Sequence, residues 1–306
     1  MKQVDAASTA RALDFPLLIA ALEKMFLDGC HVPPRGVHAV GNELTTLVMP
    51  AWQPGRYFGI KVVNVAPGNA ALGLPGLFAT YQLFDARTGE PLAQIDGNEI
   101  TARRTAAASA LAASKLARPD AHRLLIVGAG RVASLMAQAH GTVRAIDDVQ
   151  VWARNPAAAQ ALAERLARDG RPARAVPDLA SAAARADIVS CATLAAEPLI
   201  RGDWLAPGTH LDLIGGFTPA MREADDAAFA SADVWIDTNE ALVKSGDLLH
   251  PIASGALRRE DVRGTLADLC AGRFARRDDA QRTVFKSVGT ALEDLAAAIL
   301  VHEFGG

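Results

Sequence analysis

The sequence is short of the residues that announce a chemistry by themselves. It holds three cysteines in 306 residues, Cys30, Cys191 and Cys270. They are scattered, with no CxxC pair and no even set, which excludes a disulfide framework and points to a reducing cytoplasm. The seven histidines never form HxH or HxxxH, so no local zinc or iron motif exists and no metal is expected. No GxSxG elbow is present, which removes that type of serine hydrolase. Charge of neither sign dominates. The net charge is −3, and no basic excess points to nucleic acid or an anionic membrane surface. No apolar run approaches the ~18 residues of a membrane helix. The first residues do not read as a signal peptide, because Asp5, Arg11 and Asp14 break up any apolar segment.

What is present is a large apolar content. Hydrophobic residues make up 50% and charged residues 21%, which suits a folded chain with a substantial core. At roughly 100–200 residues per domain the length suggests two domains. Alanine supplies 63 residues and arginine 25 of the 31 basic ones. This background weakens any motif built from Ala or Arg alone.

The N-terminal part mixes helix and strand signals. Residues 14–27 read as a helix, with Asp14 as N-cap, Pro16 in the first turn and Gly29 as terminator. Between residues 36 and 96, short β-type runs (48–50, 57–65 and 77–84) alternate with Pro-Gly and Gly-Asn turns. Thr88-Gly89 marks a hairpin. A long Ala-rich helix follows, capped by Thr101 and ended by Pro119. From residue 122 the rhythm becomes strand–helix alternation. Strands are expected at 124–127, 149–152, 187–191, 210–214 and 234–236. Helices are expected at 135–144, 157–167, 179–185 and 219–230. Such alternation means a parallel sheet covered on both faces. A last helix, 288–302, lies beyond this unit, and its apolar face needs a partner.

Val127-Gly128-Ala129-Gly130-Arg131-Val132-Ala133 reads GxGxxA after a buried-type strand and before a helix. That context makes it a dinucleotide-binding turn. Gly128 permits the tight turn, Gly130 lets backbone approach the pyrophosphate, and Ala133 allows close helix packing. The free N–H groups at Arg131 and Val132 then meet the phosphates. An NAD enzyme commonly has an acid at the end of the second strand, for the ribose 2′-hydroxyl. Here Ala153 stands near that place, followed by Arg154 and Asn155. The Arg154 fork suits a 2′-phosphate, which predicts NADP(H), with NAD(H) as the alternative.

Three cations stand out in the N-terminal part: Arg35 after Pro33-Pro34, Lys61 within an apolar strand run, and Arg104 in Thr101-Ala102-Arg103-Arg104-Thr105. Together with their surroundings these segments make the chain resemble the ornithine cyclodeaminase/μ-crystallin family. The resemblance takes in Arg35, Met49-Pro50, Gly59-Ile60-Lys61 with Asn69, Asp85-x-x-Thr88-Gly89-x-Pro91, and Asp96-Gly97. It continues through Thr101-x-x-Arg104-Thr105-Ala106-Ala107, Gly128-x-Gly130, Ala186-Asp187-Ile188-Val189 with Thr193, and Gly215-Gly216. It ends in Val284-Phe285-x-Ser287-Val288-Gly289 with Glu293-Asp294.

The resemblance implies a Rossmann-type doubly wound parallel sheet at residues 118–287. It also implies an α+β substrate and dimerisation domain built from residues 1–117 and 288–306, in a homodimer. It implies an NAD(P)-dependent enzyme acting on a small amino or imino acid. Arg35 and Arg104 would clamp the substrate carboxylate, Arg104 from a helix start, and Lys61 would assist proton transfer. The nicotinamide would lie near Thr193 and Gly215. Two positions depart from the cyclodeaminases. Phe217 stands where they carry an Asp after Gly-Gly, and Leu47 where they carry a Glu before Met-Pro. With Met49, these make an apolar substrate pocket. Glu223, Asp225 and Asp226 read as helix-face charges, Cys191 as a core residue and His210 as structural.

The expected reaction is therefore reduction of a carboxylate-bearing cyclic or N-substituted imine, such as pyrroline-2-carboxylate. Ornithine cyclodeamination and amino-acid (alanine) dehydrogenation are the enzymatic alternatives. A protein that only binds NADP(H) and a small acid is the non-enzymatic one.

Overall fold

The computed structural model describes residues 1–41 and 44–304, and the chain forms two compact units. The first comprises residues 1–107 and 290–306, the second residues 108–289.

A six-stranded sheet is the frame of the first unit. Its strands are β1 (Lys2–Val4), β2 (Gly36–Ala39), β3 (Thr45–Trp52), β4 (Tyr57–Val65), β5 (Leu77–Asp85) and β6 (Pro91–Asp96), in the order β1-β6-β5-β4-β3-β2. β1 pairs parallel to β6, and every other pairing is antiparallel. Alternation puts residues two apart on one face. Met49, Lys61, Tyr81 and Ile95 stand opposite one another across four strands. All four are buried. The C-terminal helix (Ala291–Phe304) packs against β3, β4, β5 and β6 and the helix Phe15–Asp28. Its alanines, Ala296, Ala297 and Ala298, are buried and let it approach closely.

The helix Phe15–Asp28 starts and stops where expected. Gly29 ends it at φ 75°, although the Asp14 side chain makes no capping bond. The long helix corrects an expectation. It runs from Gly97 to Leu116, so Thr101 lies inside it, with its hydroxyl bonded to the Gly97 carbonyl at 2.7 Å. Asp96 provides the cap, accepting the Glu99 N–H at 2.7 Å. A side chain at Gly97 would meet the Ala79 carbonyl carbon at 2.6 Å, so this start needs glycine. Arg104 is accordingly two turns into the helix. The anion-favouring helix start expected for it does not exist there.

The second unit is built on an eight-stranded parallel sheet. Its strands are β7 (Arg123–Val127), β8 (Asp148–Trp152), β9 (Ala173–Ala175), β10 (Ile188–Cys191), β11 (His210–Leu213), β12 (Ala232–Ile236), β13 (Val262–Thr265) and β14 (Arg282–Lys286). The order is β13-β12-β14-β11-β10-β7-β8-β9, all parallel. The chain winds outward in opposite directions from β7, so β7 and β10 flank the switch point where such sheets bind ligands. The parallel sheet expected from strand–helix alternation is the one observed, in the Rossmann-type class that the resemblance implies. Three strands lack a sequence signal. β9 and β13 are short edge pieces, and β14 has only two apolar residues, Val284 and Phe285, between Arg282 and Lys286.

The expected helix 219–230 is also corrected, because only Ala227–Ala230 is helical. Residues 222–225 are extended, with Arg222 N–H donating to the Ala195 carbonyl at 2.7 Å and Asp225 N–H to Ile200 at 3.0 Å. Pairing with the 195–200 segment outcompetes helix propensity there.

Gly59 lies beneath the Tyr81 ring, and a Cβ there would sit 2.1 Å from the Tyr81 hydroxyl oxygen. Replacing Gly59 by Ala forces the ring aside and should cost ~1–3 kcal/mol, read as a lower urea midpoint at constant slope.

Candidate active site

The first unit gathers two buried cations around one carboxylate. Lys61 is only 1% exposed on β4, and its Nζ lies 2.7 Å from Asp294 in the first turn of the C-terminal helix. Arg104 Nε donates to the same Asp294 carboxylate at 2.9 Å, and its Nη1 to Glu293 at 2.8 Å. Both carboxylates are fully buried. Arg35 is half-buried and close enough to act on Lys61 through its charge. Burial, then the charges of Arg104 and Arg35, push the Lys61 ammonium down to about 8 against the pull of Asp294. Burial would raise the Asp294 carboxyl, but Lys61 and Arg104 hold it below its usual range. The result is an ammonium poised to hold or release a proton near neutral pH.

The three cations singled out in the sequence are therefore brought together. Glu293 and Asp294, to which no role was assigned, organise two of them. Their signal was two acids in the first turn of an otherwise apolar helix. Met49 is buried directly across from Lys61, and Leu47 is half-buried two residues along the same face.

In the second unit, the loop after β7 has the shape a dinucleotide needs. Gly128 adopts φ 122°, closed to other residues, and a Cβ there would lie 2.6 Å from the Ala192 carbonyl. Beside Gly130 nothing lies within 4 Å of a Cβ position, which leaves room for a phosphate. Arg131 is exposed, Val132 half-buried, and Ala133 fully buried at the start of the helix Ala133–Val143. These residues fit a pyrophosphate at a helix N-terminus. Arg154 is exposed past β8, with no hydrogen bond among the described residues. Asn155 caps the helix Pro156–Arg168 with its Oδ1, which accepts the Ala157 N–H at 3.0 Å.

Thr193 and Gly215 follow β10 and β11 and touch closely. A Cβ on Gly215 would fall 1.7 Å from the Thr193 carbonyl oxygen, and one on Gly216 would fall 2.2 Å from Asp247. The Gly-Gly pair is thus required by close approach. Phe217 follows it and is 42% exposed. Glu223 is not a helix-face charge, as its neighbourhood suggested. It is fully buried and bonded to Thr193 and Gly215. Asp225 accepts the Gly202 N–H at 2.8 Å, and Asp226 pairs with Arg222. Cys191 is buried in the core, and His210 is buried with Nδ1 2.9 Å from the Thr283 hydroxyl.

A doubly wound sheet with this glycine loop at its switch point is the architecture of the α/β dinucleotide-binding proteins. The family is shown by comparison: residues 8–304 match the ornithine cyclodeaminase/mu-crystallin family, and the chain belongs to it. The Delta(1)-pyrroline-2-carboxylate reductase of Paracoccus denitrificans is 46% identical over 269 residues, covering 87% of this chain and 83% of the relative. The Thermococcus litoralis Delta(1)-pyrroline-2-carboxylate reductase, solved with NADH and L-proline, superposes with a TM-score of 0.94 at 32% identity. That match covers 99% of this chain and 97% of the other. An archaeal alanine dehydrogenase dimer with bound NAD matches with a TM-score of 0.92 at 28% identity, over 99% and 95%.

Asp294 neutralises two buried cations, so removing it leaves both without their shared partner. Asp294→Ala should lose ~3–5 kcal/mol of stability in urea unfolding. The combined Lys61→Met, Asp294→Ala variant should lose less than the sum of the two single changes.

Proposed function

We propose that this chain reduces a cyclic or N-substituted imine bearing a carboxylate, of the pyrroline-2-carboxylate type, with NADPH. The observation that carries this reading is the buried Lys61–Asp294–Arg104 cluster beside Arg35, in a chain that also holds the Gly128–Gly130 loop. The named relatives that reduce pyrroline-2-carboxylate support it.

Arg35 and Arg104 bind the carboxylate and fix the imine in one orientation. Lys61 keeps a proton at the imine nitrogen, so that the adjacent carbon is electron-poor. The bound dihydronicotinamide supplies the hydride. Gly128, Gly130, Arg131 and Val132 hold the pyrophosphate, Arg154 and Asn155 the adenosine end, and Thr193 and Gly215 the nicotinamide end. Leu47 and Met49, on the face of β3 that carries Met49 across from Lys61, offer no charge to a second amine. This favours an uncharged ring over ornithine, whose distal ammonium would lack a counter-charge.

The same reading includes a homodimer in the cytoplasm. The sheet face opposite Lys61 carries Trp52, Phe58, Ile60 and Phe84, half-buried, with Phe58 and Phe84 stacked at 5.4 Å. An apolar face of this kind suits a second copy. The three cysteines are free.

Two measurements test the proposal. NADPH oxidation with pyrroline-2-carboxylate should be rapid, and ornithine with NAD⁺ should release no ammonia at a comparable rate. The reverse would overturn it. Reduction also needs Lys61 charged. Because its folded pKa is depressed to about 8, the ammonium is present below that pH and lost above it. kcat/KM should therefore fall as pH rises through about 8, and Lys61→Met should abolish that limb together with most of the activity.

Arg154 provides the cofactor test. Arg154→Ala should lower kcat/KM for NADPH by about tenfold or more, the loss of one charge-assisted bidentate contact, and leave NADH little changed. Equal effects on both cofactors would remove the NADP(H) preference from the proposal.

A further inference from the structure

Glu223 takes no part in the reaction outlined above, yet it is the most heavily bonded buried carboxylate at the carboxyl ends of β10 and β11. Its Oε1 accepts the Thr193 N–H at 2.7 Å and the Thr193 hydroxyl at 2.8 Å, while Oε2 accepts the Gly215 N–H at 2.7 Å. Asp247 holds it from behind, accepting the N–H groups of Glu223 and Ala224 at 2.7 and 3.2 Å. The other Asp247 oxygen pairs with Lys286 Nζ on β14 at 3.0 Å. All three side chains are fully buried, with the Cys191 thiol and the buried Asp237 carboxyl as further titratable neighbours. Three carboxylate bonds to two successive strand ends fix those ends rigidly against one another.

This arrangement determines what Thr193 can offer. A threonine hydroxyl has one hydrogen and two lone pairs. The hydrogen is spent on Glu223, and one lone pair receives the Ala195 N–H at 3.3 Å. What remains at Oγ1 is a single acceptor site. The side chain lies at the dinucleotide loop, since its methyl is 3.4 Å from where a Gly128 Cβ would be. The part of a nicotinamide dinucleotide that brings an N–H donor to the strand ends is the carboxamide.

We infer that Glu223 is a positioning residue for the cofactor: it turns the Thr193 hydroxyl so that it accepts a hydrogen bond from the nicotinamide carboxamide, and it holds Gly215 in register beside it. The inference rests on the reading of this cleft as the dinucleotide site. Glutamine at position 223 cannot accept at both strand ends: its NH₂ must face either the Thr193 N–H and hydroxyl or the Gly215 N–H, so either the hydroxyl loses the acceptor that fixes it or Gly215 loses its register beside it.

Calorimetric binding tests this with three probes: NADPH, its acetylpyridine analogue, which replaces the carboxamide by an acetyl group without N–H, and 2′-phospho-ADP-ribose, which lacks the nicotinamide. The wild-type protein should bind NADPH about three- to tenfold tighter than the analogue, the worth of one net hydrogen bond. Glu223→Gln should erase that preference while binding 2′-phospho-ADP-ribose as wild type does. Thr193→Val, which keeps the shape and removes the hydroxyl, should erase it too, and stands in if Glu223→Gln does not fold. The inference is overturned if wild type shows no preference or either variant retains it. It is also overturned if the fragment weakens in parallel, as a general structural role would require. Failure of wild type to bind any of the three probes would refute the dinucleotide site itself, and with it the proposed function.

Discussion

The Lys61–Asp294 ion pair is the contact on which the first unit turns. A lysine ammonium in the middle of a sheet face costs several kcal/mol unless it is paired and hydrogen-bonded. Its partner comes from the other end of the chain, residue 294, so the C-terminal helix must lie on β4 for the charge to be tolerated. Arg104 then shares the same carboxylate from a third element, the helix Gly97–Leu116. One carboxylate thus ties a strand and two helices together. The same burial that makes the pair costly lowers the ammonium to about 8. The device that closes the fold is also the device that tunes the group.

In the second unit the corresponding constraint is close approach of backbone. Gly128, Gly215 and Gly216 each stand where a Cβ would strike a carbonyl or a carboxylate. Removing the side chains brings the ends of β7, β10 and β11 near enough for one buried Glu223 to bond across two of them. Glycine at these positions costs backbone entropy and gains a narrow cleft with backbone N–H groups at its edge. Lys286 gives the cluster its only positive charge among the described contacts of Glu223 and Asp247, from a strand that had no clear signal in the sequence.

Much of this was legible beforehand. Strand–helix alternation after residue 122 gave the parallel sheet, and GxGxxA after an apolar strand located the glycine loop. Arg35, Lys61 and Arg104 stood out as cations in unsuitable surroundings, and the structure collects them. Other features were not legible. Residues 219–230 look helical because Ala and charged residues favour helix locally, yet residues 222–225 pair with a distant segment instead. Thr101 looks like a cap, but the helix begins earlier, where only glycine fits against Ala79. β14 has too short an apolar core to read as a strand, because the register of its neighbours, not its own propensity, makes it one.

By itself the sequence determined the class of fold, the place of the phosphate-binding turn and the identity of the cations, since these depend on periodicity and on residue types within short windows. Tertiary structure alone decided which acids face those cations, that Glu223 lies buried at the strand ends and not on a helix face, and how far Lys61 is lowered. Each of these depends on burial and on distances between residues far apart in the chain, such as the 2.7 Å between Lys61 and Asp294. An ionisable group takes its properties from what surrounds it, and that environment exists only once the chain has folded.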